Sequence, residues 1–205
     1  MKTTKERIID NALELFSEKG YMAVSMRDIA DKVGIKAPSL YKHYASKQAI
    51  FDAILNKIND RYKSQANALS MSAESVEKDA EYYAHISENE LIDNTLKMFK
   101  FLLHDEYESK CRKLMTIEQF KNNEIKEKYM SRFFDDMINY HEIMFKKLIE
   151  MGIVKNLNPK IMALQDVTPI YTLLLVCDRQ PERENEALEL ISDHIRQFNK
   201  LYRLK

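Results

Sequence analysis

The sequence predicts an all-α fold, with a small three-helix domain over residues 1–47 and a larger helical domain over residues 48–205. Three observations predict it. Apolar residues recur at steps of three and four along nearly the whole chain, and no stretch sustains the period-two alternation of a half-buried strand. The three glycines, Gly20, Gly34 and Gly152, each follow such a pattern and read as helix stops. Small polar stretches, Ser70–Ser75 above all, divide the helical runs.

Thr4 is placed to cap a first helix running to about Lys19, with Ile8, Ala12, Leu15 and Phe16 as its buried stripe. Tyr21 to Val24 links it to Ser25, which caps a second helix. The Ser25 hydroxyl can accept from the Asp28 N–H, and the Asp28 carboxylate suits the positive helix end. Met26, Ile29, Ala30 and Val33 share the inner face. Gly34 ends this helix, because glycine enters the left-handed region without a Cβ penalty. A third helix is expected from near Lys36 and Ala37, with Pro38 in its first turn, where a missing N–H has no intrahelical partner to lose. Leu40 points inward. Ser46 caps a long fourth helix from Lys47, whose inner face holds Ile50, Phe51, Ile54, Leu55, Ile58 and Tyr62.

Two short helices joined by a glycine turn, the second opening with small and cationic groups, make a helix-turn-helix able to enter a major groove. Lys36, Ala37, Pro38, Ser39 and Lys42 are expected to face bases or their flanks, and Arg27, Tyr41, His43, Tyr44 and Lys47 to hold phosphates. Ser25 belongs to the same candidate set. Tyr41 has a thymine methyl as an alternative contact, and Tyr44 has core packing. Backbone N–H groups at the start of the fourth helix and the Lys47 ammonium are placed to share one phosphate. Charge agrees with a local nucleic-acid face. The chain is neutral as a whole, but residues 1–50 hold nine Lys or Arg against six Asp or Glu.

Leu-Glu-Leu-Phe-Ser-Glu-Lys-Gly at Leu13 to Gly20, Met26 to Gly34, and Leu40-Tyr41-Lys42-His43-Tyr44 followed by Ser46-Lys47 resemble the TetR/AcrR family of bacterial transcriptional regulators. The resemblance covers about the first quarter of the chain. It implies a double-stranded DNA operator read by a homodimer, a small-molecule effector bound in the larger domain, and repression relieved by that effector, with activation as the alternative. One departure stands in the reader. Lys36 occupies a position where the family usually has a small hydroxyl residue, and Ala37 and Pro38 replace a Lys and often a Gly. A helix cap is lost and a charge is moved, which separates the operator from those of relatives.

Further along, a short helix is expected over about Ser75–Ala84, and Ser87-Glu88-Asn89-Glu90 has the form of a capping box. Helices follow to Leu103, over about Glu106–Phe120, and over about Ile125–Glu150, with Asn122-Asn123 as a break. Asn158-Pro159 opens another to about Cys177, which Pro169 should kink or interrupt. Gln180-Pro181 makes the last turn. Met and aromatic side chains crowd this body. Phe99, Leu103, Met115, Phe120, Phe133, Met137, Tyr140, His141, Met144 and Tyr171 are the candidate lining of an adaptable apolar pocket, against the plainer reading that they are core. Leu188, Ile191, Ile195, Phe198 and Tyr202 form a heptad-like seam on the last helix. With Ile161, Leu164, Tyr171 and Leu175 on its neighbour they are the candidate dimer interface, a four-helix bundle of two helices per chain, against the alternative of packing within one chain.

Enzyme chemistry finds no motif. The five histidines are dispersed, no His-Glu-x-x-His or Cys-x-x-Cys occurs, and there is neither a glycine-rich phosphate loop nor a Gly-x-Ser-x-Gly elbow. No metal or cofactor is expected. Cys111 and Cys177 are isolated thiols in apolar patterns. The N-terminus lacks an apolar leader, and the apolar run Ile170–Cys177 is short for a bilayer, so a cytoplasmic protein without a membrane partner is expected. The rival from another class is a helical adaptor whose N-terminal hairpin binds protein.

Overall fold

The structure, a computed structural model, describes residues 2–71 and 75–204; residues 72–74 of the expected Ser70–Ser75 boundary lie outside the described residues. It is all-α, with no strand among the described residues. Eleven α-helices are described: α1 Thr4–Lys19, α2 Met26–Val33, α3 Ala37–His43, α4 Lys47–Ala68, α5 Val76–His85, α6 Glu88–His104, α7 Glu106–Glu118, α8 Asn123–Met130, α9 Asp136–Glu150, α10 Pro159–Arg179 and α11 Glu184–Tyr202. The chain forms two compact units, one of residues 1–62 and 106–127, the other of residues 63–105 and 128–205. The first therefore takes in more chain than residues 1–47: the first part of α4 and all of α7 belong to it.

In the first unit α1 starts one residue earlier than its sequence suggests. Thr3 is the cap, in a reciprocal capping box with Glu6. The α1 stripe of Ile8, Ala12 and Phe16 is fully buried with Ile29, Ala30, Leu40 and the α4 residues Ile50, Phe51, Ile54 and Ile58. Phe16, Tyr21 and Phe51 make a ring cluster with centroids 5.0–6.3 Å apart. α7 packs on α1 and buries Cys111, Leu114 and Met115 together with Glu108, Arg112 and Glu118, three charged groups that periodicity alone does not place inside.

The second unit packs α9 between α5 and α10, and α6 against α10 and α11. Ser87 caps α6 by accepting from the Glu90 N–H, half of the expected box. The expected single helix over Ile125–Glu150 is instead α8, a π-helical turn Ser131–Asp135, and α9. Asn122 is the α8 cap, accepting from the Ile125 N–H at 3.1 Å. Pro169 does not end α10, which runs through it to Arg179. One face of α10 is held by neighbouring helices, so the lost ladder bond is carried by packing. α10 is also long and apolar enough to cross a membrane by length and composition. Against that reading it carries Asp166, which pairs with the His141 ring at 2.9 Å, and contributes Met162, Ala163, Val167 and Leu174 to the core.

Candidate nucleic-acid interface

The reader is α2, a turn and α3. Ser25 accepts from the Asp28 N–H at 3.2 Å, and the Asp28 carboxylate accepts the Ser25 N–H at 2.7 Å. The Ser25 hydroxyl also donates to the Asp28 carboxylate at 2.5 Å, and this bond first, then the one from the Ser25 N–H, holds the carboxyl of Asp28 below its ordinary value. Gly34 sits at φ +77°, and the Ile35 N–H reaches back to the Ala30 carbonyl at 3.0 Å, closing the helix end. The Arg7 guanidinium donates to the Val33 carbonyl at 2.5 Å, placing a cation at the negative end of α2.

α3 begins at Ala37 with Lys36 as its N-cap, and the Lys36 side chain makes no cap bond. Pro38 occupies the first turn. Leu40 is fully buried and fixes which side of α3 faces out. Lys36, Pro38, Tyr41 and Lys42 are exposed, and Ala37, Ser39, His43 and Tyr44 are half-buried. Arg27 on α2 is exposed as well. Burial pushes the Tyr44 hydroxyl above its ordinary value, so Tyr44 divides its ring between core and surface.

Ser46 caps α4, accepting from the Ala49 N–H at 3.1 Å. Lys47 is not extended toward solvent. Its ammonium donates to the carbonyls of Tyr21 at 2.7 Å and Val24 at 2.8 Å, and lies 4.4 Å from the centre of the Tyr21 ring. It braces the link between α1 and α2 here, where a phosphate contact was expected. Tyr21 is the anchor that sequence reasoning passed over: its hydroxyl donates to Gln48 at 2.8 Å, and burial pushes it up to about 12. The signal was an aromatic one residue after the Gly20 helix stop.

The candidate pocket residues do not converge. Phe99, Leu103 and Tyr171 share one buried cluster, with Phe133 and Met137 packed against it. Met144 belongs to a second cluster, around Phe145 and Leu148. Tyr140 donates to Asp79, and His141 pairs with Asp166. Met115 is core of the first unit, and Phe120, also in that unit, is 85 % exposed. Helical spacing gives a shared face within one helix but not which helices meet. The interface set divides too. Tyr171, Ile191, Ile195 and Phe198 are buried inside the chain, because α11 turns its seam onto α6 and α10. Leu175, Leu188 and Tyr202 are half-buried. Ile161 is exposed and, with Leu164, lines an open groove of about 960 Å³ along α10 and α11, together with Leu190 and Leu201.

Residues 8–54 match the family model for bacterial regulatory proteins of the tetR family. The biofilm-operon icaADBC negative transcriptional regulator IcaR of Staphylococcus aureus is 54% identical over 48 residues, 23% of this chain and 26% of IcaR. The transcriptional repressor ComR of Escherichia coli is 35% identical over 85 residues, 40% of each chain. The chain thus spans about a quarter of IcaR and two-fifths of ComR. Over the full length the fold is shared with solved structures. A SmeT–triclosan complex superposes with a TM-score of 0.74 at 18% identity, covering 100% of this chain and 93% of that one. A TetR family transcriptional regulator from Pseudomonas syringae gives 0.68 at 13%, covering 100% and 99%. Residues 8–54 thus match the tetR family in sequence, and the whole chain shares the fold of these solved structures.

Proposed function

We propose that the protein is a cytoplasmic repressor that binds a pseudo-palindromic operator as a homodimer and is released by a small apolar or amphipathic ligand. Residues 1–47 supply the DNA contacts, and residues 48–205 supply regulation and dimerisation. The observation that carries the reading is the orientation of α3: Leu40 is buried, which leaves Lys36, Pro38, Tyr41 and Lys42 outward from a capped, glycine-closed helix pair. Lys36 and Lys42 can donate to guanine O6 and N7 or to phosphate, and Tyr41 can meet a thymine methyl. One such module buries too little surface for tight specific binding, so two half-sites are needed. The groove along α10 and α11, with exposed Ile161, Leu190 and Leu201, supports pairing with a second copy.

The effector reading rests on the aromatic cluster of the second unit. The π-helical turn brings Phe133 and Phe134 onto the Tyr171 ring at 5.5 and 5.6 Å, and the Tyr129 and Tyr171 hydroxyls meet at 2.9 Å. π-helical turns recur at functional sites. The relatives' names agree in kind: IcaR is a negative regulator, ComR a repressor, and SmeT was solved with triclosan. Ligand would favour a body conformation that shifts α4, and with it the separation of the two readers, against the fixed half-site spacing of DNA.

Selection of genomic fragments by the purified protein, then footprinting across a salt series, tests this. A short protected pseudo-palindrome with affinity falling steeply as salt rises is the expected result. No preference among fragments at low salt would overturn it in favour of the protein-binding adaptor. Triclosan is the first release probe on the recovered operator.

A further inference from the structure

α7 ends on Glu118, and this residue is badly placed for stability alone. Its carboxylate is buried at the negative end of a helix. Its Oε2 has no hydrogen-bond partner among the described residues. Its main-chain carbonyl closes the following turn, accepting from the N–H groups of Lys121 and Asn122 at 2.9 and 3.0 Å. Buried oxygens of this kind normally have a partner, so an unpartnered one calls for a reason. Gly20 makes room for it. A Cβ at that position would lie 2.8 Å from Glu118 Oε1, and φ there is +85°. The residues that follow Gly20 carry the carbonyls that hold the Lys47 ammonium.

The groups around Lys47 leave one acid acting on it. Burial pushes the lysine below its ordinary value, and the Glu118 charge pulls it back up. The Tyr21 phenol over which the ammonium sits stays neutral through the ordinary range, and Asp52 and Glu124 act on that phenol. Resting on the DNA-binding reading above, we infer that Glu118 is a positioning residue of the reader: its carboxylate keeps the Lys47 ammonium on the Tyr21 and Val24 carbonyls, and so sets the loop that presents α2 and the α4 N-terminus to DNA. A neutral amine has one N–H fewer and donates more weakly, so loss of the charge loosens the link ahead of the Ser25 cap. Glu118 thereby connects α7, which touches no DNA in this reading, to the placement of helices that do.

Three measurements test it. First, the Lys47 side chain is titrated by NMR without DNA in the wild type and in Glu118→Gln. The variant should lose its proton at lower pH; an unchanged titration overturns the inference whether or not an operator exists. Second, E118Q should bind the operator about five- to tenfold more weakly, with the gap widening as pH rises, while Glu118→Asp, which keeps the charge, should recover most of the loss. E118D as weak as E118Q points to packing and overturns it. Third, in a double-mutant cycle with Lys47→Met, the K47M/E118Q protein should bind no more weakly than K47M alone; additive losses overturn the link. Circular dichroism checks that each variant is folded. A wild type that selects no DNA sinks the DNA reading, whereas the Lys47 titration still decides the contact.

Discussion

Asp10 shows how much a single side chain can hold in the first unit. It accepts from Lys2 at 2.7 Å, from Lys57 on α4 at 3.0 Å and from the Tyr107 hydroxyl on α7. Burial pushes its carboxyl up, but hydrogen bonds from Lys2, Tyr107 and Lys57 more than offset this and bring it from 3.8 to about 2. A folded value below the unfolded one means the stabilisation is complete above about pH 4 and is lost as pH falls toward 2. Asp10→Asn should therefore cost about 1 kcal/mol near neutral pH, discounted for its partial exposure, and should flatten the acid limb of stability. Thermal melts between about pH 2 and pH 6 check both. Tyr107 and Lys57 lie far from Asp10 in sequence and share no pattern with it, so this cluster was invisible until α1, α4 and α7 were packed together.

Within the reader, α3 is the helix whose local chemistry is compromised. It is seven residues long, and its N-cap Lys36 makes no side-chain bond, where a Ser or Thr would satisfy an orphan N–H. Lys36→Ser should raise stability by about 0.5–1 kcal/mol, read from the melting transition. The same change should weaken operator binding and relax sequence preference at one base step, read by competition with operator variants. Gains in both would show that Lys36 contributes nothing to recognition. The breaks in the longer helices divide differently between sequence and packing. Asn122 was legible as a break and serves as the α8 cap. The π-helical turn at Ser131–Asp135 was not, because its residues keep a helical apolar pattern and only the packing of Phe133 and Phe134 on Tyr171 distinguishes the turn. Pro169 predicts a kink or an interrupted ladder, and α10 runs through it as one helix.

For the whole molecule, the proposed dimer face is the α10–α11 groove, not the buried seam. Ile161 is 48 % and Leu201 50 % exposed, while Ile191 is fully buried. Ile161→Glu with Leu201→Glu should therefore give a folded monomer by sedimentation and weaken operator binding at least about 100-fold, since one reader alone lacks the area for specific affinity. A variant that stays dimeric would move the interface off this groove. Ile191→Glu should instead unfold the second unit, because it places a charge in a closed core.

Local chemistry was enough to mark the helices of the reader and their caps, though not the α1 cap at Thr3 or the π-helical turn. Capping, glycine stops and apolar periodicity are local, so Ser25, Asp28, Gly34, Leu40 and Ser46 declared α2, α3 and the start of α4 without any tertiary information. What each apolar stripe faces is set by packing. A helix with apolar residues on more than one side has two candidate faces, and which is core depends on the helices packed against it. That is why the α11 seam turned inward, why the pocket candidates fell into separate clusters, and why Lys47 turned to loop carbonyls. Residues separated by tens of positions, such as Glu118, Gly20 and Lys47, come together only when α7 lies against α1, and no local pattern in the chain announces that contact.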